Sequence, residues 1–164
     1  MVRFSLTILI FAIALIGFQH ADAADVPEFS QYKAESTYSG PAAKPILDTP
    51  SKRMFRTRIN DGVRGRQPNF AGEWIIVTWG CGASCTAGAI VNARTGDVVD
   101  IPFSICCAMA VHEDFDTIEA RPDSRLIIFA GFLNEEEPMA AHFFEFTGRD
   151  FRRVATVPND GTFR

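Results

Sequence analysis

The chain has 164 residues, of which 47% are hydrophobic and 22% are charged, and its 15 phenylalanines supply much of the apolar mass. This composition excludes a chain that is disordered throughout, and the length allows one domain with a hydrophobic core. The formal net charge of −4 argues against nucleic acid as a partner, because binding to phosphates requires a positive surface.

The first 23 residues have the pattern of a Sec-type signal peptide. A basic start at Arg3 precedes an apolar run over residues 4–18, and small residues stand at Ala21 and Ala23. We therefore predict cleavage near Ala23 and a mature protein that is periplasmic or secreted. An uncleaved anchor is the alternative, but the run is short for a membrane span of about 20 residues. No transmembrane segment is predicted in the mature chain.

Residues 24–49 are predicted to form an extended arm that lies across the body of the fold. Prolines recur at Pro27, Pro41 and Pro45, polar residues separate them, and the apolar residues have no regular period. The pattern changes at residue 50, where a single β-rich domain is predicted to begin. This domain extends to residue 158, and residues 159–164 are predicted to be a polar tail.

A short amphipathic helix is predicted at the start of the domain. Thr49 can cap it, and Phe55, Ile59 and Val63 then recur at every fourth residue. The arginines on its other face are candidates for a weak contact with an anionic surface, although a solvated basic face is the more common explanation. These candidate residues are Arg53, Arg56 and Arg58.

The rest of the domain alternates strands with turns. Runs rich in β-branched and aromatic residues predict strands at residues 74–79, 89–93, 98–101, 125–132, 140–146 and 151–157. Thr-Gly turns at Thr95 and Thr147 close similar hairpins in the two halves. The predicted fold is mainly β: two antiparallel meanders packed as a small sandwich or bent sheet, with one short N-terminal helix.

Four cysteines in an exported chain predict two disulfides. They are Cys81, Cys85, Cys106 and Cys107. Pairing between the 80–88 loop and the 106–107 segment is favoured, because it would remove roughly 3 kcal/mol of unfolded-state entropy. The alternatives are local pairing, Cys81 with Cys85 and Cys106 with Cys107, or free thiols. The spacing does not match paired C-x2-C zinc knuckles, so neither a metal nor another cofactor is predicted.

The segments around these cysteines resemble an uncharacterised family of small exported Gram-negative bacterial proteins. The resemblance rests on NFAG at residues 69–72 and on WGCGASCTAGAI at residues 79–90, and it extends from about residue 55 to residue 157. It implies a protein of the cell envelope. It brings no activity and no functional residue, because no activity is associated with the group.

The leading functional prediction is a non-enzymatic binding or envelope-accessory module whose partner is an envelope ligand or protein. Rigid scaffolds present function on loops, so the glycine-rich loop is the candidate contact surface. Its candidate residues are Gly80, Gly82, Ser84 and Thr86.

The alternative is a small cysteine-dependent hydrolase. It would use Cys81 or Cys85 as the nucleophile and His112 or His142 as the base. The two hypotheses differ in one chemical requirement: the binding module needs its cysteines paired, whereas the hydrolase needs one free thiol beside a histidine.

Overall fold

A computed structural model describes residues 26–107, 116–136 and 138–158 of the chain. The predicted signal peptide, the candidate base His112 and the polar tail lie outside these ranges. Within them, no helix has the length and apolar character that crossing a membrane requires.

The prediction of a mainly β fold is confirmed. In the described ranges, eight antiparallel strands form one open sheet in the order β1-β2-β4-β6-β7-β8, with β3 paired to β2 and β5 paired to β6. The strands are β1 Trp74–Gly82, β2 Cys85–Asn92, β3 Val98–Asp100, β4 Ile105–Cys106, β5 Ile118–Ala120, β6 Leu126–Leu133, β7 Ala140–Phe146 and β8 Phe151–Pro158.

The short strand β4 joins the two groups of strands. It pairs with the start of β2 through Thr86 and Ile105, and with the end of β6 through Ile105 and Leu133. One buried cluster contains Ile76 and Ile90 from the first group together with Phe129 and other residues from the second. The two groups of strands therefore share one core.

The helical stretch before the sheet consists of two helices, α1 Pro50–Met54 and α2 Arg56–Val63, with a break at Phe55. The Thr49 hydroxyl accepts a hydrogen bond from the Lys52 amide at 3.2 Å, as expected of a helix cap. Ile59 and Val63 are buried against the outer face of β1 and β2. The approach is close: a Cβ atom on Gly62 would lie 2.2 Å from the Val77 side chain.

Residues 26–49 lie along the body of the fold and contain a short 3-10 helix, Phe29–Gln31. The Tyr38 amide donates to the Gly72 carbonyl at 2.9 Å, and the Ala43 amide donates to the Ala93 carbonyl at 2.8 Å. Gly72 has φ +80°, and a Cβ atom there would lie 1.6 Å from the Ser36 carbonyl oxygen. Only glycine therefore lets this arm pass so close to the turn before β1.

Candidate functional site

The four cysteines meet at one end of the sheet, where the β1–β2 hairpin turns beside β4. The strands continue through most of the predicted 80–88 loop, so the turn itself contains only Ala83 and Ser84. Cys81 and Cys85 lie on either side of this turn, with Cα atoms 5.1 Å apart, and form a disulfide. We name residues 80–86 together with 106–107 the disulfide end.

The second disulfide joins the adjacent residues Cys106 and Cys107. Cys106 lies directly opposite Cys85 in the β2–β4 ladder, whereas Cys107 has φ +67° and leaves the strand. The Cys107 amide donates a hydrogen bond of 3.2 Å to the Ser84 carbonyl. The hairpin turn is thus held by its own disulfide and by the segment beside it.

The pairing favoured from the sequence, between the hairpin and the 106–107 segment, is wrong. The structure has the local pairing instead, and no cysteine is free. Cys81 falls at an irregularity of the ladder between Gly80 and Gly82, next to Gly82, which is the residue paired with Cys85. Consecutive residues of a regular strand point to opposite faces, and the left-handed backbone at Cys107 removes this restriction for the adjacent pair.

The candidate contact residues predicted from the sequence lie together at the disulfide end. Gly80, Gly82 and Ser84 are exposed, and Thr86 is half-buried. Ser84 adopts φ +54°, a left-handed conformation suited to a tight hairpin turn. The end therefore combines exposure with a backbone that is fixed by covalent bonds and by strand pairing.

A polar cleft of about 490 Å³ opens beside the disulfide end. Thr78 and Thr86 contribute to it from β1 and β2. Thr86 pairs with Gly80, which is two residues after Thr78 in β1, so the two threonines lie on the same face of the hairpin. Residues on and just before β5 line the other side. The polar lining residues are Arg66, Asn69, Thr78, Thr86, Asp116 and Thr117.

The candidate base His142 does not lie beside the cysteines, and His112 is outside the described residues. His142 is fully buried in β7, and its Nε2 atom lies 3.1 Å from the carbonyl oxygen of Gly131. Cys81 and Cys85 are bonded to each other, so neither sulfur is a thiolate in this structure. Among the described residues, no group of three or more His, Cys, Asp or Glu side chains could hold a metal ion.

The candidate basic patch lies on α1 and α2. Arg53, Arg56 and Arg58 are all exposed. Arg53 donates to the carbonyl of Asp48 at 2.9 Å, and Arg56 donates to the carbonyl of Arg53 at 3.4 Å. Within the described part of the chain, no carboxylate forms a salt bridge with any of the three. Their positive charges are therefore available to an anionic surface.

The buried carboxylate of Glu145 and the half-buried carboxylate of Glu73 lie away from the disulfide end and have structural partners. Burial raises the pKa of Glu145, but a hydrogen bond from Arg152 and the charges of Arg125 and Arg152 outweigh it, so the pKa lies below the ordinary value. Burial also raises the pKa of Glu73, and hydrogen bonds from Asn92 and Arg94 more than offset it, with the same net direction. Both groups therefore stay ionised in neutral solution.

Sequence reasoning missed β5 and with it half of the cleft. The predicted strands leave out residues 102–124, yet Ile118–Ala120 pairs with β6 and places Asp116 and Thr117 across the cleft from Thr78. A strand of three residues is too short for the alternation of apolar and polar residues to predict it. The apolar residues Ile118 and Ala120 on either side of Glu119 were the only signal.

No protein-family model, curated protein or solved structure matches this chain. The fold and the site define its class: a mainly antiparallel β protein whose two disulfides lie together at one end of the sheet.

Proposed function

We propose that this protein is an exported, non-enzymatic binding module of the cell envelope, and that the disulfide end is its contact surface. The N-terminal sequence pattern supports export, and two disulfides are typical of an oxidising compartment. The cysteine-dependent hydrolase ranks below it, because both candidate nucleophiles are bonded to each other and His142 is buried.

The observation that carries the proposal is that the end of the hairpin is exposed and yet held rigidly. Residues 80–84 are exposed, while the Cys81–Cys85 bond and the hydrogen bond from Cys107 fix their backbone. A preorganised surface loses little conformational entropy on association, so each contact contributes more fully to affinity.

The cleft beside the disulfide end extends this contact surface. Hydroxyl groups of Thr78, Thr86 and Thr117 and the amide of Asn69 can both donate and accept hydrogen bonds. Arg66 and Asp116 add one charge of each sign. Such a lining suits a polar segment of a partner protein, and we propose an envelope protein as that partner.

Site-specific photo-crosslinking in a periplasmic extract tests the proposal. The photoreactive residue p-benzoylphenylalanine replaces Ser84 in one variant and Arg149 in a matched control. Arg149 lies in the exposed β7–β8 turn, at the end of β7 that pairs with the β6 residue Leu126. The opposite end of β6, at Leu133, is the end that pairs with β4.

We expect a defined adduct from position 84, little or none from position 149, and a weaker adduct when excess wild-type protein competes. The proposal would be overturned by the absence of an adduct at position 84, or by equal yields at the two positions.

A further inference from the structure

The four cysteines form two disulfides that lie side by side across the β2–β4 ladder. Cys85 and Cys106 belong to different disulfides, yet they are direct partners in antiparallel pairing. Directly opposite residues share a face of the sheet, and their Cα atoms are about 4.5–5.5 Å apart. Disulfides join Cα atoms about 4.4–6.8 Å apart, so the native backbone already allows a Cys85–Cys106 bond.

We propose that the disulfide end is a thiol–disulfide exchange site in which Cys85 is the sulfur shared by two alternative bonds. Cys85 has Cys81 on one side, across the hairpin, and Cys106 on the other side, across the β2–β4 ladder. This inference concerns a chemical activity and does not depend on the envelope partner proposed above.

The reaction begins with a dithiol reductant, either a dithiol protein or a small dithiol. Cys81 is exposed while the other three cysteines are half-buried, so the reductant's thiolate attacks Cys81 Sγ. The Cys81–Cys85 bond breaks, and Cys85 leaves as a thiolate. The second thiol of the reductant then displaces Cys81, which takes up a proton, and the reductant departs oxidised as a disulfide.

The second step moves the remaining disulfide and transfers no net electrons. The Cys85 thiolate attacks Cys106 Sγ, the Cys85–Cys106 bond forms, and the Cys106–Cys107 bond breaks. Cys107 leaves as a thiolate and takes up a proton. The fixed register holds Cys85 against Cys106, which raises their effective concentration. The new bond closes a longer loop than the old one and so constrains the unfolded chain more.

Trypsin can report this exchange because the cysteines lie on two different tryptic peptides. No Lys or Arg lies between residues 67 and 94, so Cys81 and Cys85 stay on the peptide 67–94. Cys106 and Cys107 fall on the peptide 95–125, because Pro122 blocks cleavage after Arg121. The two peptides separate in the starting protein and remain linked after the exchange.

The experiment treats the folded protein with one molar equivalent of dithiothreitol, quenches it in acid, alkylates free thiols with N-ethylmaleimide and maps the digest by mass spectrometry. We expect most of the protein that has lost one disulfide to contain linked peptides 67–94 and 95–125, with alkylation at Cys81 and Cys107. The untreated sample should give the two peptides unlinked.

Three outcomes would overturn the exchange. One is alkylation of Cys81 and Cys85 with the second disulfide intact, and another is alkylation of Cys106 and Cys107 with the first intact. Linked peptides in the untreated protein would also overturn it, because the starting pairing would then differ.

Two double variants test the geometry separately from the reductant. The variant C81S/C107S leaves Cys85 and Cys106, which should form a disulfide spontaneously in air. The control C85S/C107S leaves Cys81 and Cys106 on strands separated by β2, roughly 10 Å apart, which is beyond the reach of a disulfide. Equal oxidation of the two variants, with native near-UV circular dichroism in both, would contradict the role of Cys85.

Discussion

Glu145 is a buried carboxylate with two arginine partners, and its environment couples folding to pH. Its side chain is 10% exposed and lies between the guanidinium groups of Arg125 and Arg152. Arg125 donates to Glu145 Oε1 at 2.6 Å and also donates to the Lys33 carbonyl at 3.2 Å. The carboxylate therefore connects β7 and β8 with Arg125, the residue before β6, and through Arg125 with the N-terminal arm.

We expect the substitution E145Q to destabilise the folded protein by about 1–3 kcal/mol at pH 7, because Arg152 loses its charged partner and Arg125 loses the nearer of its two. The pKa of Glu145 is lowered on folding from its ordinary value of 4.5, so its stabilising contribution is complete above that pH. The contribution is lost as the pH falls through the lower folded pKa. Urea unfolding from pH 7 to pH 3 should show the wild-type advantage shrinking below about pH 4.5.

The control for this measurement is E136Q, in an exposed loop between β6 and β7. It should track the wild type at every pH. A constant difference between E145Q and the wild type across the whole pH range would contradict the assigned electrostatic role, since it would indicate a loss of packing only.

At the scale of elements, the α1–α2 segment combines a buried side with an exposed basic side. Phe55 stacks on Trp79 with ring centroids 4.7 Å apart, and Ile59 is fully buried against the sheet. These contacts fix the orientation of the segment, so its arginines project from a rigid surface. Two guanidinium groups on one short helix are an arrangement suited to a weak contact with anionic lipid headgroups.

The double substitution R56Q/R58Q tests that contact. A basic residue near an anionic membrane contributes about 1 kcal/mol, so we expect binding to phosphatidylglycerol vesicles to weaken by roughly 30-fold in low salt. The wild-type affinity should itself fall as salt screens the charges. R149Q, in the exposed β7–β8 turn, is the matched control. Vesicle sedimentation with unchanged binding of the double variant would exclude this patch as the contact surface.

The elements differ in how well their sequences predict them. The β-branched run from Ile75 to Val77 predicts a buried strand because its residues can cover both faces of a sheet. The pairs Cys81–Cys85 and Cys106–Cys107 were one of the alternatives, but the sequence could not favour them, since they depend on a ladder irregularity at Gly80 and on the left-handed backbone of Cys107. Both are features of the folded backbone, and the spacing of the cysteines along the sequence does not specify them.

The cleft depends in the same way on contacts between distant segments. Thr78 and Thr117 line one cleft only because β4 joins the two groups of strands and β5 pairs with β6. The sequence predicts the two hairpins separately, but nothing in their periodicity specifies how they face each other. The candidate contact residues Gly80 to Thr86 were identified from composition, whereas the other side of the cleft required the fold.

At the scale of the whole molecule, the N-terminal arm is part of the structure that covers the sheet. Phe29 and Tyr32 pack against the cluster formed by Leu126 and neighbouring residues of β6 and β7. Tyr38 and Leu47 pack against the cluster on the outer face of β1 and β2. The arm therefore covers apolar surface on both groups of strands, and its attachment should contribute to global stability.

Removal of the Ser124 hydroxyl oxygen tests the attachment of the arm to the sheet. Its hydroxyl is buried, lies 2.9 Å from the Phe29 carbonyl and 3.0 Å from the Tyr32 carbonyl, and accepts a hydrogen bond from the Leu126 amide. The substitution S124A leaves these buried groups without their partner, which should cost about 1–3 kcal/mol.

Because the lost bonds hold the arm, we expect S124A to loosen the arm more than the sheet. Limited trypsin digestion should cleave after Lys33 several-fold faster in S124A than in the wild type, since local opening of this segment would require less free energy. S51A, at an exposed position of α1, is the control and should leave cleavage unchanged. Equal cleavage after Lys33 in S124A and the wild type, with S124A destabilised globally, would mean that the arm and the sheet unfold as one unit.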